Sequence, residues 1–221
     1  MTIANTAFVG VRTFERMKEK GICILERQRL AASRLFGFIV LIIVSVTSHS
    51  WEKSALVDSF VEFSGLALIA ICMLGRLWAS MYISGRKDGS LVTEGPYATV
   101  RHPLYFFSLI GGIGIGLSTE NVLALGLIVV SFLTYYPVVI MAEEKRMIEI
   151  HKEKYLEYMK NTPRFVPRLS RLREPAHLSI QMKPFRRNFY RVMWFLWFFM
   201  ILQAIEKLQH MGIMPVLLRI P

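Results

Sequence analysis

Three short clusters carry most of the residues in this chain whose types suit chemistry. They are Glu94-Gly95-Pro96-Tyr97, Arg101-His102-Pro103-Leu104-Tyr105 and Glu143-Glu144. In the second cluster, proline at a first helical turn costs nothing, because the N–H it lacks has no partner there anyway. Arg101 and His102 would then stand just outside a helix N-terminus, where free N–H groups favour a carboxylate or a phosphate. The plainer reading of this cluster is a basic anchor beside a helix-start proline. In the third cluster, two acids close an apolar stretch, and a carboxylate at a membrane edge wants a partner. Either they hold a cationic or amino group, or they are N-terminal charges of a following helix, favoured by its dipole. Arg101 and Glu144 are the candidate catalytic residues, and His102 or Glu144 the candidate base if an acceptor needs deprotonation.

The elements that must position these clusters are apolar helices. Hydrophobic residues make up 53% of the 221, charged residues 19%, and mean hydropathy is +0.41. A soluble domain has about 45–50% apolar and about 25% charged residues. The apolar residues gather in blocks at about 34–50, 57–83, 103–118, 121–142 and 189–206. This excludes a disordered chain and disfavours an ordinary soluble enzyme. It also leaves no room for a membrane anchor plus a full dinucleotide-binding domain of about 100–150 residues. The expected fold is all-α, a polytopic membrane bundle of about five transmembrane helices without a Rossmann domain. Pro137 is expected to kink the fourth span. Residues 143–160 read as a separate amphipathic helix, with apolar positions 147, 148, 155 and 159 among charges. Residues 161–187, rich in proline and arginine, read as a loop or a strap on the headgroups.

Charge alternates along the chain as the positive-inside rule demands. The leader, 85–102 and 143–187 are basic, the last with 12 Lys and Arg against 6 acids, whereas 49–56 and 118–121 are not. The N-terminus and all three clusters therefore fall on one cytoplasmic face. The net charge of +11 is accounted for by topology and anionic headgroups, so a nucleic-acid partner is not expected. The expected partners are membrane lipids and a lipophilic small molecule; oligomeric state is not legible. The domain reading is a basic leader 1–33, a membrane core 34–168, and a basic strap with a hydrophobic helix over 169–221. Cys23 and Cys72 have neither CxxC nor metal-ligand spacing, so no metal site is expected. Gly111-Gly112-Ile113-Gly114-Ile115-Gly116 lies inside an apolar block and reads as close helix packing through Gly112 and Gly116, not as a phosphate loop.

At Ser90-Leu91-Val92-Thr93-Glu94-Gly95-Pro96-Tyr97, then Arg101-His102-Pro103-Leu104-Tyr105, and forty residues on at EEKRMIEIHKEKYLEYMKNTPRFVP, the chain resembles the isoprenylcysteine carboxyl methyltransferases. It is more distantly similar to membrane phospholipid methyltransferases. The resemblance covers about residues 60–168. It implies an integral-membrane enzyme that uses S-adenosylmethionine on a lipophilic acceptor. It also implies cofactor contacts from Gly89, Ser90, Leu91, Val92, Tyr97, His102, Pro103, Leu104, Tyr105 and Glu143. In prenylcysteine enzymes an arginine four residues before that glutamate is placed to hold the substrate carboxylate. Here Val139 stands there, and the stretch YYPVVIMAEE holds no Arg or Lys. A neutral or thiol-bearing lipophilic acceptor is then as well supported as a prenylcysteine carboxylate, unless Arg76 or Arg101 substitutes. The competing readings are an NADPH-dependent sterol-type membrane reductase, disfavoured by Leu104 where those enzymes carry Asn, and a non-catalytic membrane scaffold.

Overall fold

A computed structural model of the protein describes residues 35, 37–45, 47–49, 55–84, 90–119, 121–213 and 218–220. The basic leader 1–33, Gly89 and part of the first expected span lie outside the described residues. The chain divides into two units, Met1–Ile43 and Val44–Pro221. In the first, residues 37–43 are helical. The second carries the three clusters.

Its helices are α1 (Ala55–Ile83), the single turn α2 (Pro96–Thr99), α3 (Pro103–Ser118), α4 (Val122–His151), α5 (Glu153–Asn161) and α6 (Met182–His210). Two three-residue strands, β1 (Thr47–His49) and β2 (Leu218–Ile220), pair in parallel. Gln209 ties α6 to the segment before β1 by donating from Nε2 to the Val44 and Ser45 carbonyls, at 3.2 and 2.9 Å. Among the described residues three helices are long and apolar enough to cross a membrane, over Leu56–Ile83, Val122–His151 and Met182–Gln209. At 16 residues α3 is about 24 Å long, short of a ~30 Å hydrocarbon core. Large apolar side chains such as Phe60, Leu74, Leu133 and Trp194 are exposed on these helices, the side a bilayer would cover.

The glycines of α3 set its packing. A Cβ on Gly114 would lie 2.7 Å from the Gly65 carbonyl oxygen of α1, and one on Gly65 would lie 2.7 Å from the Gly114 oxygen. The two backbones touch there, which only glycine permits. Gly111 faces Cys72 of α1 and Phe195 of α6, while Gly112 and Gly116 face Ile128 and Leu125 of α4. One glycine stripe thus serves three neighbours. In a bilayer, where apolar burial drives little, such close van der Waals contact supplies much of the association.

Two boundaries differ from the sequence expectation. First, α4 runs unbroken through Pro137 and past Glu143-Glu144 to His151, so the glutamates do not open a new helix. Nothing in AEEKRMIEIH stops a helix; these are mostly strong helix formers. The break comes at Lys152, with φ +50°, whose N–H donates to the Ile148 carbonyl and whose carbonyl accepts from Tyr155 and Leu156. No glycine or proline announces it. Second, α6 begins at Met182 rather than near 189, because Pro184 falls in its first turn, where a missing N–H is tolerated. The basic KPFRR stretch is therefore helix, and the strap is limited to 162–181.

Candidate functional site

The three sequence clusters meet where α3 begins and α4 leaves its apolar stretch. The turn before α2 depends on Gly95, with φ +60° and the Tyr82 ring against its Cα, so no side chain fits. Val100 ends that turn in extended conformation, and Pro103 starts α3 as its first residue. Beneath this loop runs the strap. Arg101 N donates to the Pro163 carbonyl at 2.9 Å, Arg168 N to the Thr99 carbonyl at 2.9 Å, and Gly95 N to the Arg173 carbonyl at 2.7 Å. Tyr158 of α5 adds a bond from its hydroxyl to the Tyr97 carbonyl at 2.7 Å.

Glu144 is buried and accepts from two arginines and a histidine. Arg101 Nη1 lies 2.7 Å from its Oε1, and His102 Nε2 lies 3.2 Å from the same atom. Arg164, from the strap, donates to Oε1 from Nε at 3.2 Å and to Oε2 from Nη2 at 2.5 Å. A carboxylate only accepts, so the His102 Nε2 carries the proton in this contact. These bonds join loop, α4 and strap at a single residue. The hydrogen bonds it donates to Glu144 hold the Arg164 guanidinium pKa above its ordinary value. Tyr155, buried beside the cluster, has its hydroxyl pushed up to about 12, first by burial and then by the Glu144 charge.

Glu143, one residue away, faces different company. Tyr105 Oη donates to its Oε1 at 2.5 Å, and Glu143 is only partly buried. The Tyr105 ring meets Tyr136 edge-on at 5.0 Å, and Tyr136 stacks on Phe132 at 3.8 Å. Burial pushes the Tyr97 hydroxyl up, with Tyr158 and Glu143 adding to this and Arg76 opposing it. Tyr97, Glu143 and Arg76 therefore share one electrostatic neighbourhood.

Of the residues singled out from sequence, Arg101, His102 and Glu144 are drawn into one cluster, and Tyr105 and Glu143 into a second. Pro103 is buried at the helix start, and Leu104 presents its carbonyl to Arg76 Nη1 at 3.2 Å. Ser90, Leu91 and Val92 form an irregular segment leading to Gly95. Leu91 lines a groove of about 730 Å³ with Thr93, Lys154, Tyr158, Arg171 and Arg173. Val139 is half-buried one turn before Glu143. Among the described residues no group of three metal-ligating side chains converges. Sequence reasoning missed Arg164 and Tyr158. Both lie within the EEKRMIEIHKEKYLEYMKNTPRFVP stretch, but only folding back of the strap reveals their partners.

Residues 69–154 match the phospholipid methyltransferase family, in the wider group that includes the isoprenylcysteine enzymes; the match spans the three clusters. The chain is 32% identical over 197 residues to the nickel-cobalt-cadmium resistance protein NccN of Alcaligenes xylosoxydans xylosoxydans, covering 89% of this chain and 92% of the relative. It is 32% identical over 190 residues to the cobalt-zinc-cadmium resistance protein CzcN of Cupriavidus metallidurans, covering 86% and 87%. No solved structure matches.

Proposed function

We propose, for a chain that belongs to one family with NccN and CzcN and carries a phospholipid methyltransferase core, that it is a membrane methyltransferase using S-adenosylmethionine on a lipophilic acceptor. The observation that carries this reading is the meeting of Glu143 and Tyr105 at the start of α3, inside the matched region.

The donor set suits that cofactor. The Glu143 carboxylate, oriented by the Tyr105 hydroxyl, can accept from an ammonium group. The start of α3, opened by Pro103, offers the positive end of a helix dipole to a carboxylate, although the N–H groups of Tyr105 and Phe106 already donate to the His102 carbonyl. The faces of Tyr97 and Tyr105 can attract a sulfonium. When bound, the cofactor supplies an electrophilic methyl group. The chain's own work is to align the acceptor with it and to exclude water. Glu144, with both oxygens taken by cations, acts in this reading as the post that fixes Arg101, His102 and the strap rather than as a base. Tyr97, held protonated by burial, serves as a donor. The prenylcysteine-type acceptor, the five-span topology and the cytoplasmic placing of the site belong to this proposal too, supported by the quoted motifs and by the basic loops.

Calorimetry of S-adenosylmethionine with purified protein in detergent tests the reading. Binding to the wild type, lost on Glu143→Ala, is the expected result. A folded sample that binds no S-adenosylmethionine but binds NADPH would overturn it in favour of the reductase.

A further inference from the structure

The groove beside the α2 turn has a use that the cofactor does not explain. It opens between α5, the segment leading to Gly95 and the strap, with a volume of about 730 Å³. Tyr158 lines it and donates to the Tyr97 carbonyl, so the groove rests against the main chain of that turn. Of the described residues implied for the cofactor, Leu91 alone lines it; Tyr97, His102, Tyr105 and Glu143 do not. Its charge is one-sided. Lys154 comes from α5 and Arg171 and Arg173 from the strap, against one acid, Glu157. Among the described residues no carboxylate pairs with these three cations; the acid that pairs with arginine is Glu144, on α4. Even Glu157, one turn from Lys154 on α5, leaves it unpaired. Thr162, only 6% exposed, also lines the groove, and its hydroxyl has no hydrogen-bond partner among the described residues.

Like charges on two walls of one groove repel, and an anion between them turns that repulsion into attraction. Its partners stand on different elements, so it must present oxygens in more than one direction. A carboxylate offers two oxygens in one plane. A phosphate offers three or more, arranged tetrahedrally, and suits the forked guanidinium of arginine. A threonine hydroxyl can donate to a further oxygen. We infer that this groove is a phosphate-binding site, separate from the cofactor site, in which the phosphate ties α5 to the strap. The strap main chain already holds the turn, through the bond from Gly95 N to the Arg173 carbonyl. A bridged groove therefore braces the turn that carries Tyr97. The phosphate comes from a lipid headgroup or from a soluble ester. Leu169 and Leu172, 73% and 43% exposed, flank Arg171 and give the groove an apolar margin. The inference does not depend on the methyltransferase reading.

Calorimetry of the full chain in nonionic detergent tests it, with glycerol phosphate, glycerate, dihexanoyl phosphatidate and dihexanoylglycerol as probes. At least one phosphate is expected to bind the wild type about tenfold more tightly than its phosphate-free counterpart, the margin of charge-assisted bonds. Tighter binding of the phosphatidate than of glycerol phosphate assigns a lipid headgroup; equal binding assigns a soluble ester. Arg171→Gln combined with Arg173→Gln is expected to weaken phosphate binding about tenfold. Arg186→Gln combined with Arg187→Gln, exposed positions outside the groove with the same loss of charge, is expected to leave it unchanged. Glycerate and dihexanoylglycerol binding as tightly as the phosphates, or no phosphate binding at all, overturns the inference with wild-type protein alone. So does an equal loss in the two double variants, the mark of diffuse surface charge. Displacement of the phosphate by saturating S-adenosylmethionine overturns it too, because the two sites would then be one. Phosphate bound by protein that binds no S-adenosylmethionine leaves the groove site standing and removes the methyltransferase reading.

Discussion

The two sides of the inner end of α4 differ by one residue in sequence and by their whole electrostatic condition. On the Glu144 side, one buried carboxylate meets two arginines and a histidine, and both its oxygens are occupied. On the Glu143 side, a partly buried carboxylate accepts a hydrogen bond from the Tyr105 hydroxyl. Consecutive helical residues point about 100° apart, as 3.6 residues per turn requires. Adjacent acids on a helix therefore serve different neighbourhoods. A carboxylate saturated by cations on both oxygens holds a fold in register.

The largest effect should come from breaking the saturated side. Glu144→Ala strands Arg101 as a buried cation and leaves His102 Nε2 without its carboxylate, and is expected to cost about 3–5 kcal/mol, the range for removing one partner of a buried ion pair. Glu143→Ala is expected to cost less, about 1.5–3 kcal/mol for a hydrogen bond to a charged group on a partly exposed side chain, while abolishing cofactor binding. Denaturant titration in mixed micelles, run beside calorimetry, separates the two; equal losses of stability would end the distinction. Next in size is the scaffold beneath both sides. Gly114→Ala forces a methyl against the Gly65 carbonyl and is expected to cost about 1–3 kcal/mol. Gly126→Ala, with nothing within 4 Å, is expected to stabilise by up to about 1 kcal/mol, as alanine favours a helix over glycine.

Within the saturated cluster the two arginines should rank by burial. The Arg101 side chain is 11% exposed and that of Arg164 51%. Arg101→Ala is expected to cost about 1–3 kcal/mol and Arg164→Ala about 1 kcal/mol or less, because solvent and salt screen the exposed member. Added salt narrowing the wild-type margin over Arg164→Ala but not over Arg101→Ala would sharpen this ranking. Tyr105→Phe should be smallest in stability, about 0.5–1 kcal/mol, since it removes a single hydroxyl. Its cofactor affinity should fall about tenfold as Glu143 loses its orienting bond. Unchanged affinity would dissociate Tyr105 from the site.

Much of this was legible before any fold. Pro103 marked the start of α3, Gly95-Pro96 marked a turn, and the glycine run marked a packing face, because each residue type answers a local backbone demand. Other features were not. Lys152 carries no signal of the break it makes, since lysine neither requires nor prefers positive φ. The start of α6 was misplaced because Pro184 reads as a loop residue until its position in the first turn is known. The glycine stripe was read as one interface and turned out to serve three.

The sequence by itself determined the local and one-dimensional properties: apolar blocks long enough to cross a bilayer, basic segments between them, and the turn and helix-start residues. These follow from transfer energies and backbone preferences of single residues. Tertiary structure alone decided which of two neighbouring glutamates is neutralised, and that Arg164 returns from the strap to do it. Pairing of charges depends on distances across 20 to 43 positions of chain, and such distances are set only when the helices pack.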